Sequence, residues 1–143
     1  MSKKILFTIC LMALSFAIFA QSKKQSVDKI HKIVFQLSSD DTLVHKGLMR
    51  QLNNVLIAAP DSKIEVVCHG PGINMLMQEN TLVLDKIQLF KTKGVTFKAC
   101  ENTLREKNIS KDKIITEADF VPSALIEIVI RQEEGWSYIK SGF

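Results

Sequence analysis

Apolar and polar positions follow two rhythms along this chain, and the switches between them mark the elements. Lys32-Ile33-Val34-Phe35-Gln36-Leu37 is a short, mostly apolar run, as a central strand covered on both faces would be. Ser38-Ser39-Asp40-Asp41 offers several N-caps. Val44, Leu48, Leu52, Val55, Leu56 and Ala59 then recur at three- and four-residue spacing, which predicts a helix stopped by Pro60-Asp61-Ser62. Met49 belongs with the core of that helix, whereas His45 falls one position off the stripe and reads as a surface histidine. Lys63-Ile64-Glu65-Val66-Val67-Cys68 is a second strand, and His69-Gly70-Pro71-Gly72 is the turn at its carboxyl end. Ile73, Leu76 and Met77 start a short helix that Gln78-Glu79-Asn80 interrupts. Val83, Ile87 and Phe90 carry a helical stripe on to Lys91-Thr92-Lys93, with Gly94 as its C-cap.

Period two returns next: Val95, Phe97 and Ala99 alternate with Thr96, Lys98 and Cys100. The alternation stops at Cys100, and Glu101-Asn102-Thr103 opens a short helix around Leu104-Arg105-Glu106. Asn108 to Asp112 is a loop, and Lys113-Ile114-Ile115-Thr116 reads as a short strand. Asp119-Phe120-Val121-Pro122 introduces the last long helix, with Pro122 near its first turn. There Ala124, Leu125, Ile126, Ile128, Val129 and Ile130 are apolar around most of the circumference, where a surface helix would show a polar face. That helix is expected to be deeply buried or, the favoured reading, packed in a subunit interface. Gly135 ends it, and Trp136-Ser137-Tyr138-Ile139-Lys140 is a final alternating strand. The alternation of strands and helices predicts an α/β fold with parallel strands, right-handed crossovers and helices on both sheet faces. There is no internal repeat, low-complexity tract or second domain.

The start of the chain departs from this pattern. Lys3-Lys4 is a basic opening, Ile5 through Phe19 is almost wholly apolar, and Ala20-Gln21 is a small-residue cleavage point. Residues 1–20 therefore read as a secretory signal peptide, 21–31 as a polar tether and 32–143 as the folded domain. Export to the periplasm follows, with no membrane attachment after cleavage. The apolar run is short for a membrane span, and an uncleaved anchor is the alternative reading. Cys10 lies inside the run without the small residues of a lipoprotein site before it.

Composition changes the picture little. The formal charge of the 143 residues is +4, of which Lys3 and Lys4 carry two. The remaining lysines are scattered without aromatic interleaving, so nucleic acid is not an expected partner. No Ser-His-Asp set and no hydrolase-type carboxylate pair is legible. Metal binding through Cys68-His69 is disfavoured, because neighbours on a strand face opposite ways and no zinc-type spacing supports them. No metal and no cofactor are expected.

Thiol chemistry remains. Cys100 sits at the carboxyl end of a strand with a helix amino-terminus just beyond it, at the sheet edge where ligands collect in open α/β folds. The N–H groups there favour a thiolate, and Lys98, two residues back on the same face, adds favourable charge. The competing reading makes Cys100 a small buried hydrophobe. The glycines of His69-Gly70-Pro71-Gly72 allow close backbone approach to a bound group, or simply a tight strand-to-helix connection. A disulfide between Cys68 and Cys100 depends on strand order, which the residues do not state.

The segments Val66 to Ile73, Gly94 to Thr103, Val121-Pro122-Ser123-Ala124 and Gln132 to Ile139 together resemble the DsrE/DsrF-like proteins of sulfur relay. The resemblance runs over nearly the whole chain from Lys32 onward. It implies a three-layer α/β sandwich with a mostly parallel five-stranded sheet of flavodoxin-like topology, assembled as trimers or hexamers. It implies that Cys100 matches the position where sulfur-carrying members hold a persulfide, loaded by a donor protein and passed to an acceptor. On that reading the N–H groups around Glu101, Asn102 and Thr103 stabilise the anion, and His69 and Gly70 line the same pocket. The second reading is a non-enzymatic oligomeric binding module for a small ligand or a protein partner.

Overall fold

A computed structural model describes residues 30–142. The signal peptide expected at 1–20, and all but the last two residues of the tether, lie outside the described residues. The strands are β1 (Lys32–Leu37), β2 (Lys63–Cys68), β3 (Thr96–Cys100), β4 (Ala118–Val121) and β5 (Ser137–Ser141). Between them run α1 (Thr42–Ala58), α2 (Leu84–Thr92), α3 (Glu101–Glu106) and α4 (Ala124–Glu133). Asp41 caps α1 by accepting the Leu43 N–H at 2.7 Å.

All the strand pairs are parallel, in the order β4-β3-β2-β1-β5. Parallel strands with helices on both faces are what a flavodoxin-like arrangement shares with this sheet. Here, however, β1 is flanked by β2 and β5, whereas in the flavodoxin order it lies between the second and third strands. From β1 to β4 the chain steps one place at a time in the same direction, so right-handed crossovers put the intervening helices on one face. The return from β4 to β5 runs the other way, and among the described residues α4 alone lands on the opposite face.

The two faces bury very different cores. On the first, Phe35, Leu37, Ile64, Val66, Cys68, Phe97 and Ala99 pack under α1, α2 and the segments between them. On the second, Val34, Val67, Cys100 and Val121 meet only Ala124 and Ile128 of α4, with Trp136 alongside. Strand alternation sorts the residues between these cores.

Three local readings are corrected. Ile114 makes only an isolated antiparallel bridge with Met77, and the fourth strand lies later, at Ala118–Val121. Four residues are too few to display a period, and the neighbouring Pro122 masks them as a helix entry. Pro122 lies immediately before the Ser123 N-cap, near the first turn of α4 as expected. The short helix expected from Ile73 is 3₁₀ and begins earlier, over Gly70–Leu76, so it takes in the Gly-Pro-Gly turn itself. His45 is buried, its ring Nε2 2.8 Å from the Ser39 carbonyl, so a polar satellite of the core replaces the expected surface histidine.

Candidate functional site

Cys100 ends β3 and is the N-cap residue of α3, as its position in the sequence predicts. Its side chain points to the α4 side, among Val34, Val67, Val121, Ala124 and Ile128. It is 4% exposed, so the thiol is not displayed in an open cleft. Cys68, at 0%, is sealed completely on the other face, and burial pushes its thiol far above the usual cysteine range. The strands that carry the two cysteines are direct neighbours, with Cys68 paired to Ala99. That one-residue offset sends the side chains to opposite faces, and both thiols are free. Alternation, not an intervening strand, keeps them apart.

The donor that reaches the Cys100 sulfur comes from a different helix than its sequence neighbours suggest. The Ala124 N–H, first in α4, donates to Cys100 Sγ at 3.3 Å. The Asn102 N–H is engaged by the Pro122 carbonyl at 3.3 Å. The Glu101 carboxylate pairs with Lys111 and the Asn102 side chain with Arg105. Thr103 is buried and its Oγ1 accepts the Gly70 N–H at 3.0 Å, which ties the start of α3 to the turn after β2. Lys98 is neutralised by Asp119 Oδ2 at 3.0 Å, so its charge is shared across β3 and β4.

His69 is half-buried, and burial lowers its pKa from the ordinary histidine value. Its Nε2 lies 2.7 Å from Gln36 Nε2, and Gln36 Oε1 accepts the Tyr138 hydroxyl. Gly70 adopts a left-handed φ of +52° with open space around it. Gly72 is tied to the fold: a Cβ there would stand 2.4 Å from the Leu37 carbonyl oxygen, so the close approach is to the end of β1.

What fixes α4 is a buried ionic cluster. Glu65, on β2, is 2% exposed and takes two bonds of 3.0 Å from Arg131 Nε and Nη2. Arg131 also meets Glu127 at 2.8 Å and Glu134 at 3.0 Å, and its guanidinium stacks 5.1 Å from the Trp136 ring. Burial raises the Glu65 carboxyl above the usual range, and Arg131 offsets this only in part. The opposite side of α4 is bare: Leu125 and Ile126 are 59% and 58% exposed, and Val129 and Ile130 are exposed as well. Of the two alternatives for this apolar helix, deep burial is therefore excluded within the described residues.

Two cavities among the described residues lie away from the thiol. One of about 630 Å³ runs along α3 beside Glu101, Arg105 and Ile109. One of about 670 Å³ lies between α1 and α2, lined by Lys46, Arg50, Lys86 and apolar neighbours. Cys100 lines neither. No cluster of three metal-ligating side chains occurs among the described residues.

The structure thus gathers Cys100, His69, Gly70 and Thr103 at one carboxyl edge, and turns the Glu101 and Asn102 side chains to local pairs. Gln36, Tyr138 and the Ala124 N–H join the site without having been singled out in the sequence. A lone glutamine inside an otherwise apolar strand was the available signal for Gln36. Nothing local signals Ala124, whose contribution is a backbone donor brought from another helix.

A family model for the DsrE/DsrF-like family matches residues 31–141. Among solved structures, a protein of unknown function from Methanobacterium thermoautotrophicum is similar at 32% identity with a TM-score of 0.73. The match covers 77% of this chain and 98% of that one. None of the curated proteins compared matches the chain.

Proposed function

The chain belongs to the DsrE/DsrF-like family, and from that premise we propose that it is a periplasmic sulfur carrier holding sulfane sulfur as a persulfide on Cys100. The observation that carries this reading is the Ala124 N–H directed at Cys100 Sγ from the amino-terminus of a ten-residue helix. A helix amino-terminus favours an anion at that atom, which is what a nucleophilic sulfur must become. In loading, the Cys100 thiolate attacks the outer sulfur of a donor persulfide, R–S–SH. The S–S electron pair leaves with R–S⁻, and Cys100–S–SH remains. In delivery an acceptor thiolate attacks the same outer sulfur and Cys100 departs as thiolate. No net oxidation occurs in either step, so no cofactor is required.

Assembly is part of the proposal. Leu125, Ile126, Val129 and Ile130 form a stripe on the outer side of α4, and full burial of such side chains contributes about 1.5–3 kcal/mol each. We assign that stripe to contacts between copies in a trimer or hexamer. A donor or acceptor protein is the partner expected at the carboxyl edge, and export is the expectation from residues 1–20.

Incubation with a low-molecular-weight persulfide donor tests the reading. The purified protein is expected to gain one sulfur by intact mass, to pass it to an added thiol, and to lose both properties in Cys100→Ser. A second reading, a non-enzymatic binding module, draws support from the burial of Cys100 and the bare stripe on α4. It requires Cys100→Ser to retain full partner or ligand binding.

A further inference from the structure

The α4 side of the carboxyl edge carries a hydrogen-bond chain that loading and delivery do not use. It begins on the edge strand, where the Tyr138 hydroxyl donates to Gln36 Oε1 across the β1–β5 pair. Gln36 Nε2 then faces His69 Nε2 at 2.7 Å. An amide whose oxygen accepts from the tyrosine offers its NH₂ group to the imidazole, so His69 Nε2 is an acceptor. A neutral imidazole that accepts at Nε2 carries its proton on Nδ1. The lowered pKa of His69 keeps the ring neutral at pH 7. His69 Nδ1 is not a sealed, unpartnered atom: among the described residues that description fits only Ser141 Oγ. Among the described residues the ring's hydrogen bond is at Nε2 and the side chain is half-buried, which leaves the Nδ1 N–H open to a ligand.

Register sets what that N–H stands beside. Cys68 pairs with Ala99, so His69, just past the end of β2, is set level with Cys100 at the end of β3, about one strand spacing (~5 Å) away. His69 continues the extended backbone, at φ −149° and ψ 171°. It therefore turns to the face opposite Cys68, the face that Cys100 shares. One residue farther, the Gly70 N–H to Thr103 Oγ1 bond locks the two segments together.

Building on the sulfur-carrier reading, we propose that the His69 Nδ1–H donates a hydrogen bond to the outer sulfur of the Cys100 persulfide, while the Ala124 N–H holds the inner sulfur. A persulfide extends about 2 Å beyond Sγ, and its anion carries the charge on that outer atom. A single backbone donor at Sγ leaves the new atom unserved, and His69 supplies the second donor without adding a positive charge. Gln36 and Tyr138 are positioning residues: they act by fixing which ring nitrogen bears the proton.

Two measurements test this. Nitrogen-15 NMR of the imidazoles in the unloaded protein is expected to show His69 as the Nδ1–H tautomer. Tyr138→Phe frees the Gln36 amide to reverse and is expected to mix the two tautomers; a purely structural tyrosine would leave the spectrum alone. After loading, the lifetime of the persulfide toward a soft electrophile is expected to fall roughly tenfold in His69→Gln, the effect of one lost hydrogen bond. Tyr138→Phe, which keeps the imidazole and the buried core, is expected to fall between that variant and wild type. An Nε2–H tautomer in the wild type, or equal lifetimes in all three proteins, overturns the proposal and leaves the carrier reading standing. A wild type that takes up no sulfur overturns both.

Discussion

The two faces of the sheet hold one cysteine each, and the difference between them separates a scaffold from a site. The face under α1 and α2 is a thick, mostly apolar core in which Cys68 is one more small hydrophobe. Among the described residues the other face has six buried apolar residues and the buried Glu65, a single covering helix, and Cys100 beside a helix amino-terminus. Topology creates the asymmetry, because three crossovers advance in one direction and only the last returns. The thin face must then hold its one helix by other means, and it does so with the Glu65–Arg131 cluster.

The comparison is most easily broken by truncating each face in turn. Phe97→Ala removes a fully buried ring from the thick core and is expected to lower stability by about 3–5 kcal/mol in urea unfolding. A loss below about 1 kcal/mol would mean that core is not the one that holds the fold.

On the thin face, Arg131→Ala strands a buried carboxylate. The expected cost at pH 7.5 is about 2–4 kcal/mol, less than for a fully buried pair because the arginine is partly open to solvent. The pH dependence has a definite sign. Glu65 already titrates above its ordinary value when folded, so the folded chain binds this proton more tightly than the unfolded one. Stability from this group is therefore complete at pH below the ordinary carboxylate range and declines as pH rises through the raised value. Removing Arg131 raises that value further. The gap between variant and wild type should narrow from pH 7.5 to pH 5, and a gap independent of pH would show that Glu65 is not the group left stranded.

The smallest contrast is between the cysteines themselves. Cys68→Ser buries a hydroxyl in an apolar core, at an expected cost of about 1–3 kcal/mol. Cys100→Ser keeps an acceptor for the Ala124 N–H and should cost less than about 1 kcal/mol. Equal losses, measured by thermal unfolding, would erase the distinction between the two environments.

The framework was legible because its signals are local and repeated. The α1 stripe from Val44 to Leu56 and the alternation from Val95 to Cys100 each appear as elements near the expected bounds. β4 was missed because four residues next to a proline carry no period. The site was legible only to its first atom. Cys100 and His69 could be placed at strand ends by counting, but which face each meets depends on register, and register is a long-range property. For the same reason the sequence points to the adjacent Glu101-Asn102-Thr103 turn for the sulfur's donor, whereas it arrives from Ala124, twenty-four residues on. Of the two environments the sequence leaves open for Cys100, a ligand-collecting sheet edge or a buried apolar site, the thiol sits at the edge under a thin apolar shell, since α4 lies across that part of the sheet.

Site-resolved mass spectrometry with an isotope-labelled persulfide donor tests the central claim most directly, because the two thiols act as each other's control in one native sample. The label is predicted on the peptide containing Cys100 and absent from that containing Cys68 until the protein is unfolded. Label on both peptides alike, or on neither, would contradict a sulfur site built on the thin face of the sheet.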